Sequence, residues 1–127
     1  MSGIVQVEEN NLLNGWLGIA AYTAATTPMK LALATATGTA TTAGTEVTGG
    51  SYARQTITFN APSAGATANA SAISFTNMPA VTVTGIDIYD SAGTPIRRAF
   101  AALTASKTTG AGDTLSFAAG AITASMS

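Results

Sequence analysis

From Gly44 to Phe59 the sequence reads GTEVTGGSYARQTITF, and from Ala111 to Gly120 it reads AGDTLSFAAG. Both stretches set turn-forming Gly or Asp against apolar residues that alternate with polar ones. That period of two belongs to extended backbone, where successive side chains point to opposite faces. A chain punctuated in this way builds a compact β-domain. After Pro28, Leu31, Leu33 and Thr35 face one way from a first strand, and Lys30, Ala32 and Ala34 the other. Gln55, Ile57 and Phe59 oppose Arg54, Thr56 and Thr58 in a second. Between these strands, Ala36 to Gly50 is almost entirely Thr, Ala and Gly and reads as a long surface loop. Pro62 and Gly65 open another, ending near Ala70.

The second half is denser in strand signals. Ile73 and Phe75 mark a short strand stopped by Asn77 to Pro79. Val81 and Val83 share one face, whereas Ile86 and Ile88 fall on the opposite parity, so a bulge at Thr84 and Gly85 is expected to bring all four to one side. Asp90 to Gly93, DSAG, is a turn signal. The strand after it, Ile96 to Leu103, sets Ile96, Arg98, Phe100 and Ala102 against Arg97, Ala99, Ala101 and Leu103. Gly110 to Asp113 makes the last tight loop, Leu115 and Phe117 alternate with Thr114 and Ser116, and Ile122, Ala124 and Met126 close the chain. About seven short strands at fairly regular spacing predict a mainly β domain, an antiparallel β-sandwich or barrel with one N-terminal α-helix. An open sheet with the helix across one face is the rival. The expected core is Ile57, Phe59, Phe75, Ile86, Ile88, Phe100, Leu115 and Phe117.

The helix is expected over about residues 10–21, ahead of a β-domain over about 29–126, in one domain spanning 1–127. Leu12, Leu13, Trp16, Leu17 and Ala20 follow the spacing of one helical face. Asn10 or Asn11 would cap it, and Glu8 and Glu9 sit at the end where negative charge suits the helix dipole. Gly15 and Gly18 each cost a helix about 1 kcal/mol relative to Ala. They are either loose spots on a solvated face or places where another backbone approaches. The stripe containing Trp16 is expected to be buried against the sheet or a neighbouring subunit, because left in water it would be an aggregation-prone patch.

With a formal net charge of −1 and 9% charged residues, the surface must consist largely of Thr, Ser, Ala, Gly and Asn. Free monomers ordinarily carry about a quarter or more charged residues at the surface. Such a chain is poorly defended against association, and an oligomer, with a trimer as the first expectation, is predicted. There is no Cys or His, hence no disulfide, thiolate or imidazole chemistry. The N-terminus lacks the basic region of a secretory signal, and the longest apolar run, Trp16 to Ala21, is far short of the roughly 20 residues of a membrane helix. A soluble protein with no membrane partner is expected.

The remaining candidates for chemistry are Asp87, Asp90, Asp113, Lys30 and Lys107. Asp87 and Asp90 would face opposite sides of a regular strand and form no carboxylate pair. DIYDSAG also misses the ligand spacing of a calcium loop. Asp90 reads instead as a turn residue. No catalytic, cofactor-binding or metal site is expected. Five basic residues against six acidic ones cannot supply the phosphate contacts of a nucleic-acid binder. Arg97 and Arg98, adjacent on a strand, point to opposite faces. Arg97 is expected at a solvated rim and Arg98 with its stem along apolar surface, a bridge to another subunit being the functional option for either.

Asn11 to Thr27 (NLLNGWLGIAAYTAATT), Met29 to Ala34 (MKLALA), Glu46 to Phe59, Gly85 to Asp90 (GIDIYD) and Lys107 to Gly120 together resemble a family of small bacteriophage virion proteins, variously tail-fibre or minor capsid and decoration proteins. In that family, glycines before a Tyr-Ala-Arg step mark the entrance to a strand. Here Gly49 and Gly50 precede Tyr52, Ala53 and Arg54, and Glu46 lies eight residues before Arg54, within reach of an ion pair across a turn. The resemblance implies a virion structural protein assembled in the host cytoplasm, with no catalytic residues. The first expectation is a decoration or cement protein on the outside of the head shell, bound as a homo-oligomer to the major capsid protein or other virion proteins. The alternative is a tail-fibre or tail-tip host-recognition module. Trp16, Glu46, Tyr52, Arg54, Arg97 and Arg98 are the expected interface or architectural residues.

Overall fold

The structure, a computed structural model, describes residues 3–125. Met126, expected to end the last strand, lies outside the described residues. The elements are β1 (Gly3–Ile4), α1 (Gln6–Trp16), β2 (Met29–Ala36), β3 (Thr45–Glu46), β4 (Gln55–Ile57), β5 (Ala66–Ala68), β6 (Ile73–Met78), β7 (Val81–Tyr89), β8 (Arg97–Thr109), β9 (Asp113–Phe117) and β10 (Thr123–Ser125). The fold is mainly β and antiparallel, with one helix near the N-terminus. One sheet runs β1-β8-β7-β2-β3, and β4 pairs with β2 beside β3, so that two short strands share one edge of a long one. Two ribbons, β6–β9 and β5–β10, make up the rest. The large sheet ends at β1 on one side and at β3 and β4 on the other, and among the described residues no barrel closes.

The core lies between the large sheet and the ribbons. Leu31, Leu33, Val83 and Ile86 from the sheet meet Ile73, Phe75, Met78, Leu115 and Phe117 from β6–β9, with Ile57, Val47 and Ile122 completing the cluster. Phe59 and Ile88 are half-buried against it. The parity change in β7 falls where expected. Val83 pairs with Lys107 and Gly85 with Ala102, so Leu103 to Ser106 bow out opposite Thr84 and return Ile86 to the side of Val83.

A second break falls in β8 itself. Ile88 pairs with Ala99 but Tyr89 with Arg97, which leaves Arg98 as an extra residue. The expected alternation from Ile96 to Leu103 therefore fails at Arg98, and Arg97 shares a face with Phe100, its guanidinium 5.5 Å from the ring centroid. Phe100 is buried, but opposite Asp87 on the outer face of the sheet and not in the main core. The cause is register: Ala99 and Ala101, on either side of it, take the inward positions against Ile88 and Ile86.

The segment 37–44, expected to be a surface loop, lies down on that outer face. The Gly44 N–H donates to Asp87 Oδ2 at 3.0 Å, and Thr37 Oγ1 donates to the Thr84 carbonyl. A Cβ on Gly85 would stand 2.6 Å from Thr37 Oγ1. Glycine is needed there because the segment crosses the sheet directly over it.

The helix begins earlier and ends earlier than the apolar spacing suggested. Its N-cap is Val5, in extended conformation with no side-chain cap, and the first-turn N–H of Gln6 is satisfied by the Ala40 carbonyl at 2.9 Å. Asn10 and Asn11 are interior to the helix and cap nothing at its start. At the other end Gly18 takes φ +70°, and the Ile19 N–H reaches back to the Asn14 carbonyl at 3.0 Å, the six-to-one bond of a Schellman cap. Gly18 is thus the stop signal. Gly15 admits a close approach, since a Cβ there would stand 3.0 Å from Tyr22 Cβ as the chain folds back.

Candidate functional site

Two ionic clusters, a separate Arg97–Asp87 pair and one apolar face hold Trp16, Glu46, Tyr52, Arg54, Arg97 and Arg98. The first cluster lies where β3 and β4 meet along β2. The Gly49–Gly50 turn, at φ +102° and +57°, sends Tyr52 inward, where its ring stacks on Phe75 with centroids 6.0 Å apart. Its hydroxyl accepts from the Leu33 N–H at 2.9 Å, filling the gap in the ladder between the two short strands, and donates to Glu46 Oε2 at 2.7 Å. Arg54 completes the group with two bonds to Glu46, from Nε at 2.9 Å and Nη2 at 2.8 Å, and its guanidinium lies 3.7 Å over the Tyr89 ring. Burial alone would raise the Glu46 pKa. The Arg54 and Tyr52 donors outweigh it and hold the carboxyl below the ordinary carboxylate range. Burial and Glu46 push the Tyr52 phenol well up.

The second cluster is centred on Arg98. Released from the ladder by the register break, its side chain turns under α1, where Nη1 donates to Glu8 Oε2 at 2.5 Å and Nη2 to Asp90 Oδ2 at 3.1 Å. Arg98 is 8%, Glu8 8% and Asp90 1% exposed, so the expected stem along apolar surface with its head at the edge does not describe this arginine. Glu8 also accepts from Tyr22 Oη at 2.5 Å and from Asn11 Nδ2 at 3.1 Å. Asn11 exchanges two bonds of 2.8 Å with the backbone of Thr23. Asp90 forms the expected turn by accepting from the Ala92 N–H at 3.2 Å, and its Oδ1 also accepts from the Ile96 N–H at 2.8 Å. Burial would raise its pKa, but those two N–H groups and Arg98 hold it below the usual range. Burial opposes the Arg98 charge, and Glu8 and Asp90 more than offset it, leaving the guanidinium firmly protonated.

Arg97 faces the other way, beside Phe100 on the outer side of the sheet, and with its side chain 10% exposed it is not at the solvated rim expected for it. It pairs with the buried Asp87 at 3.2 Å and donates to the Thr39 carbonyl at 2.6 Å, fastening the folded-down 37–44 segment. The sequence reading missed Glu8 and Asp87 as partners because they stand 90 and 10 residues from their arginines. With 37–44 read as a free loop, nothing in the sequence placed either carboxylate against its arginine.

These pairs consume most of the charge the chain has. Four ion pairs use all three arginines and four of the six acids, leaving Glu9, Lys30, Lys107 and Asp113 outside them among the described side chains. Asp113 is itself engaged, accepting from the Gly110 N–H at 2.7 Å.

The third feature is the face of α1 and the turn after it. Of the two covers expected for the stripe, the sheet and a neighbouring subunit, the sheet is not used, and in the single chain the stripe is in water. Trp16 is 64%, Leu17 67% and Ile19 70% exposed, with Leu13 and Tyr22 beside them at 45% and 43%. The helix is tied to β8 by the bond from Arg98 to Glu8, with the Val5 N–H ahead of it donating to the Arg98 carbonyl at 3.2 Å, and the apolar stripe faces outward. Leu12, Gly15, Trp16, Gly18, Ala20 and Tyr22 line a shallow recess within that face.

A comparison with curated proteins finds no match. Residues 3–125, the whole of the described chain, match the family model described as Podophage GP4 fiber I protein gp80. The ordered turns, glycines and strand pairs set out above thus belong to a bacteriophage virion structural protein, and the chain is a member of the podophage GP4 fiber I protein gp80 family.

Proposed function

We propose that this chain is a structural subunit of a phage tail fibre, and that it works by non-covalent assembly with copies of itself and with other virion proteins. The family match over residues 3–125 carries the reading, and it favours the fibre over the head-shell decoration that the sequence put first. The charge distribution supports assembly. With seven of the eleven charged side chains tied up in ion pairs inside the subunit, few charges remain to oppose contact with a neighbour. Such contacts are held by apolar burial at about 25 cal/mol per Å², before the cost of association. Immunogold labelling or image reconstruction of purified particles tests the location. Label on the tail is the expected result, and dense coverage of the head would return the reading to shell decoration.

A further inference from the structure

We infer that the face formed by Leu13, Trp16, Leu17, Ile19 and Tyr22 is the seat of a second copy of this chain. These five residues, 43–70% exposed, leave on the order of 600 Å² of accessible surface in water, backbone atoms included, a large share of the about 800 Å² that one partner gives to a specific interface. The face is also held rigid. Glu8, Asn11 and Tyr22 bind the helix and the returning chain to Arg98 and to the Thr23 backbone, so the entropy of ordering it is already paid on folding.

The chemistry of the face selects its occupant. From Asn10 to Met29 there is no Asp, Glu, Lys or Arg, and the surface offers nothing for a charged partner to read. It does carry both halves of a self-complementary contact. The small residues Gly15, Gly18 and Ala20 hollow a recess flanked by Trp16 and Tyr22, and Leu17 and Ile19 stand exposed beside it. A second copy can place its Leu17 or Ile19 in that recess and receive the same in return, as an isologous interface requires.

The inference rests on the reading of the chain as an assembling subunit, but its test uses the isolated full chain. Sedimentation equilibrium of the parent, Leu17→Glu, Leu17→Ala and Trp16→Glu is compared at matched concentrations, with far-UV circular dichroism as the check on folding. The parent should sediment as an oligomer, and emission from Trp16, the only tryptophan, should shift to the blue and resist acrylamide as concentration rises. Leu17→Glu and Trp16→Glu should weaken self-association at least about ten-fold with the fold retained. Leu17→Ala, which leaves the helix end intact, should weaken it less. A parent that stays monomeric with a readily quenched Trp16, or a folded Leu17→Glu with the parent's mass, overturns the inference. Label on the head together with a dissociating Leu17→Glu would sink the fibre reading and leave this interface standing.

Discussion

Toward one edge of the large sheet Arg54 holds Glu46, and toward the other Arg98 holds Glu8 and Asp90. Both are arginine–carboxylate clusters completed by a tyrosine hydroxyl, yet they differ in depth and reach. The Arg54 pair is about a third exposed on both sides and joins residues eight apart. The Arg98 group is 9%, 10% and 1% exposed at the side chains and ties residue 98 to residue 8. In the exposed cluster water already solvates the charges, so the ion pair adds little and the geometry of the strand junction matters more. In the buried one each partner depends on the others for having left water at all. The first shapes a sheet edge, whereas the second fastens the helix and its apolar face to the body.

Removing Arg98 should therefore have the largest effect. Arg98→Ala leaves Glu8 and Asp90 buried near each other without a cation, at a cost of about 3–5 kcal/mol, read as a fall in urea midpoint at unchanged slope. The triple variant Arg98→Met, Glu8→Gln, Asp90→Asn should recover much of that loss, since an uncharged group of similar volume needs no compensating charge. An Arg98→Ala variant no less stable than Arg54→Ala would erase the distinction between the clusters.

Within the exposed cluster the hydroxyl should outweigh the ion pair. Tyr52→Phe keeps the stack on Phe75 but leaves the fully buried Leu33 N–H without its acceptor, costing about 1–3 kcal/mol. Arg54→Ala loses a half-solvated pair and a contact over Tyr89, and about 1 kcal/mol is expected. Thermal melts of the two variants side by side rank them. If Arg54→Ala proved the worse, the junction would depend on charge and not on the repaired ladder.

The same contrast of reach explains what could be read from the sequence. Glu46 and Arg54 were legible because eight residues and two glycines define one turn, and the irregularity at Thr84 was legible because Val83 and Ile86 cannot share a face of a regular strand. The antiparallel β class followed from the same alternation. Arg98 was illegible because its bulge shows only once Tyr89 is seen opposite Arg97, a matter of pairing and not of local pattern. Asn69 is a further case. Buried at 1% exposure, it donates to the Ser71 and Ala118 carbonyls and accepts from the Ile122 N–H, tying two turns about fifty residues apart, but in sequence it is one more polar residue in a run of Ala, Thr and Ser. The apolar spacing of residues 12–20 correctly marked a helix near the N-terminus. It could not say which way the helix would roll, because that is set by Glu8 reaching for an arginine ninety residues on.

Acid should separate the clusters by the smallest margin. Asp90 and Glu46 both have folded-state pKa values below their ordinary ones, so as pH falls the unfolded chain takes up their protons first. Each therefore contributes stability that is complete above the ordinary carboxylate range near about 4 and is lost as pH drops through the folded value, with a slope of at most about 1.4 kcal/mol per pH unit for one group. Asp90 sits almost without water between two backbone N–H groups and Arg98, whereas Glu46 is screened by the solvent that reaches a third of it. Urea midpoints measured from neutral pH into this acid range should thus show Asp90→Asn flattening the acid limb more than Glu46→Gln does. Asp90→Asn suits the purpose because an amide oxygen still accepts from Ala92 and Ile96, which keeps the turn and removes only the charge facing Arg98. Should Glu46→Gln flatten the limb as much, the exposed pair would be as strongly coupled to folding as the buried one, and depth of burial would not be what distinguishes them.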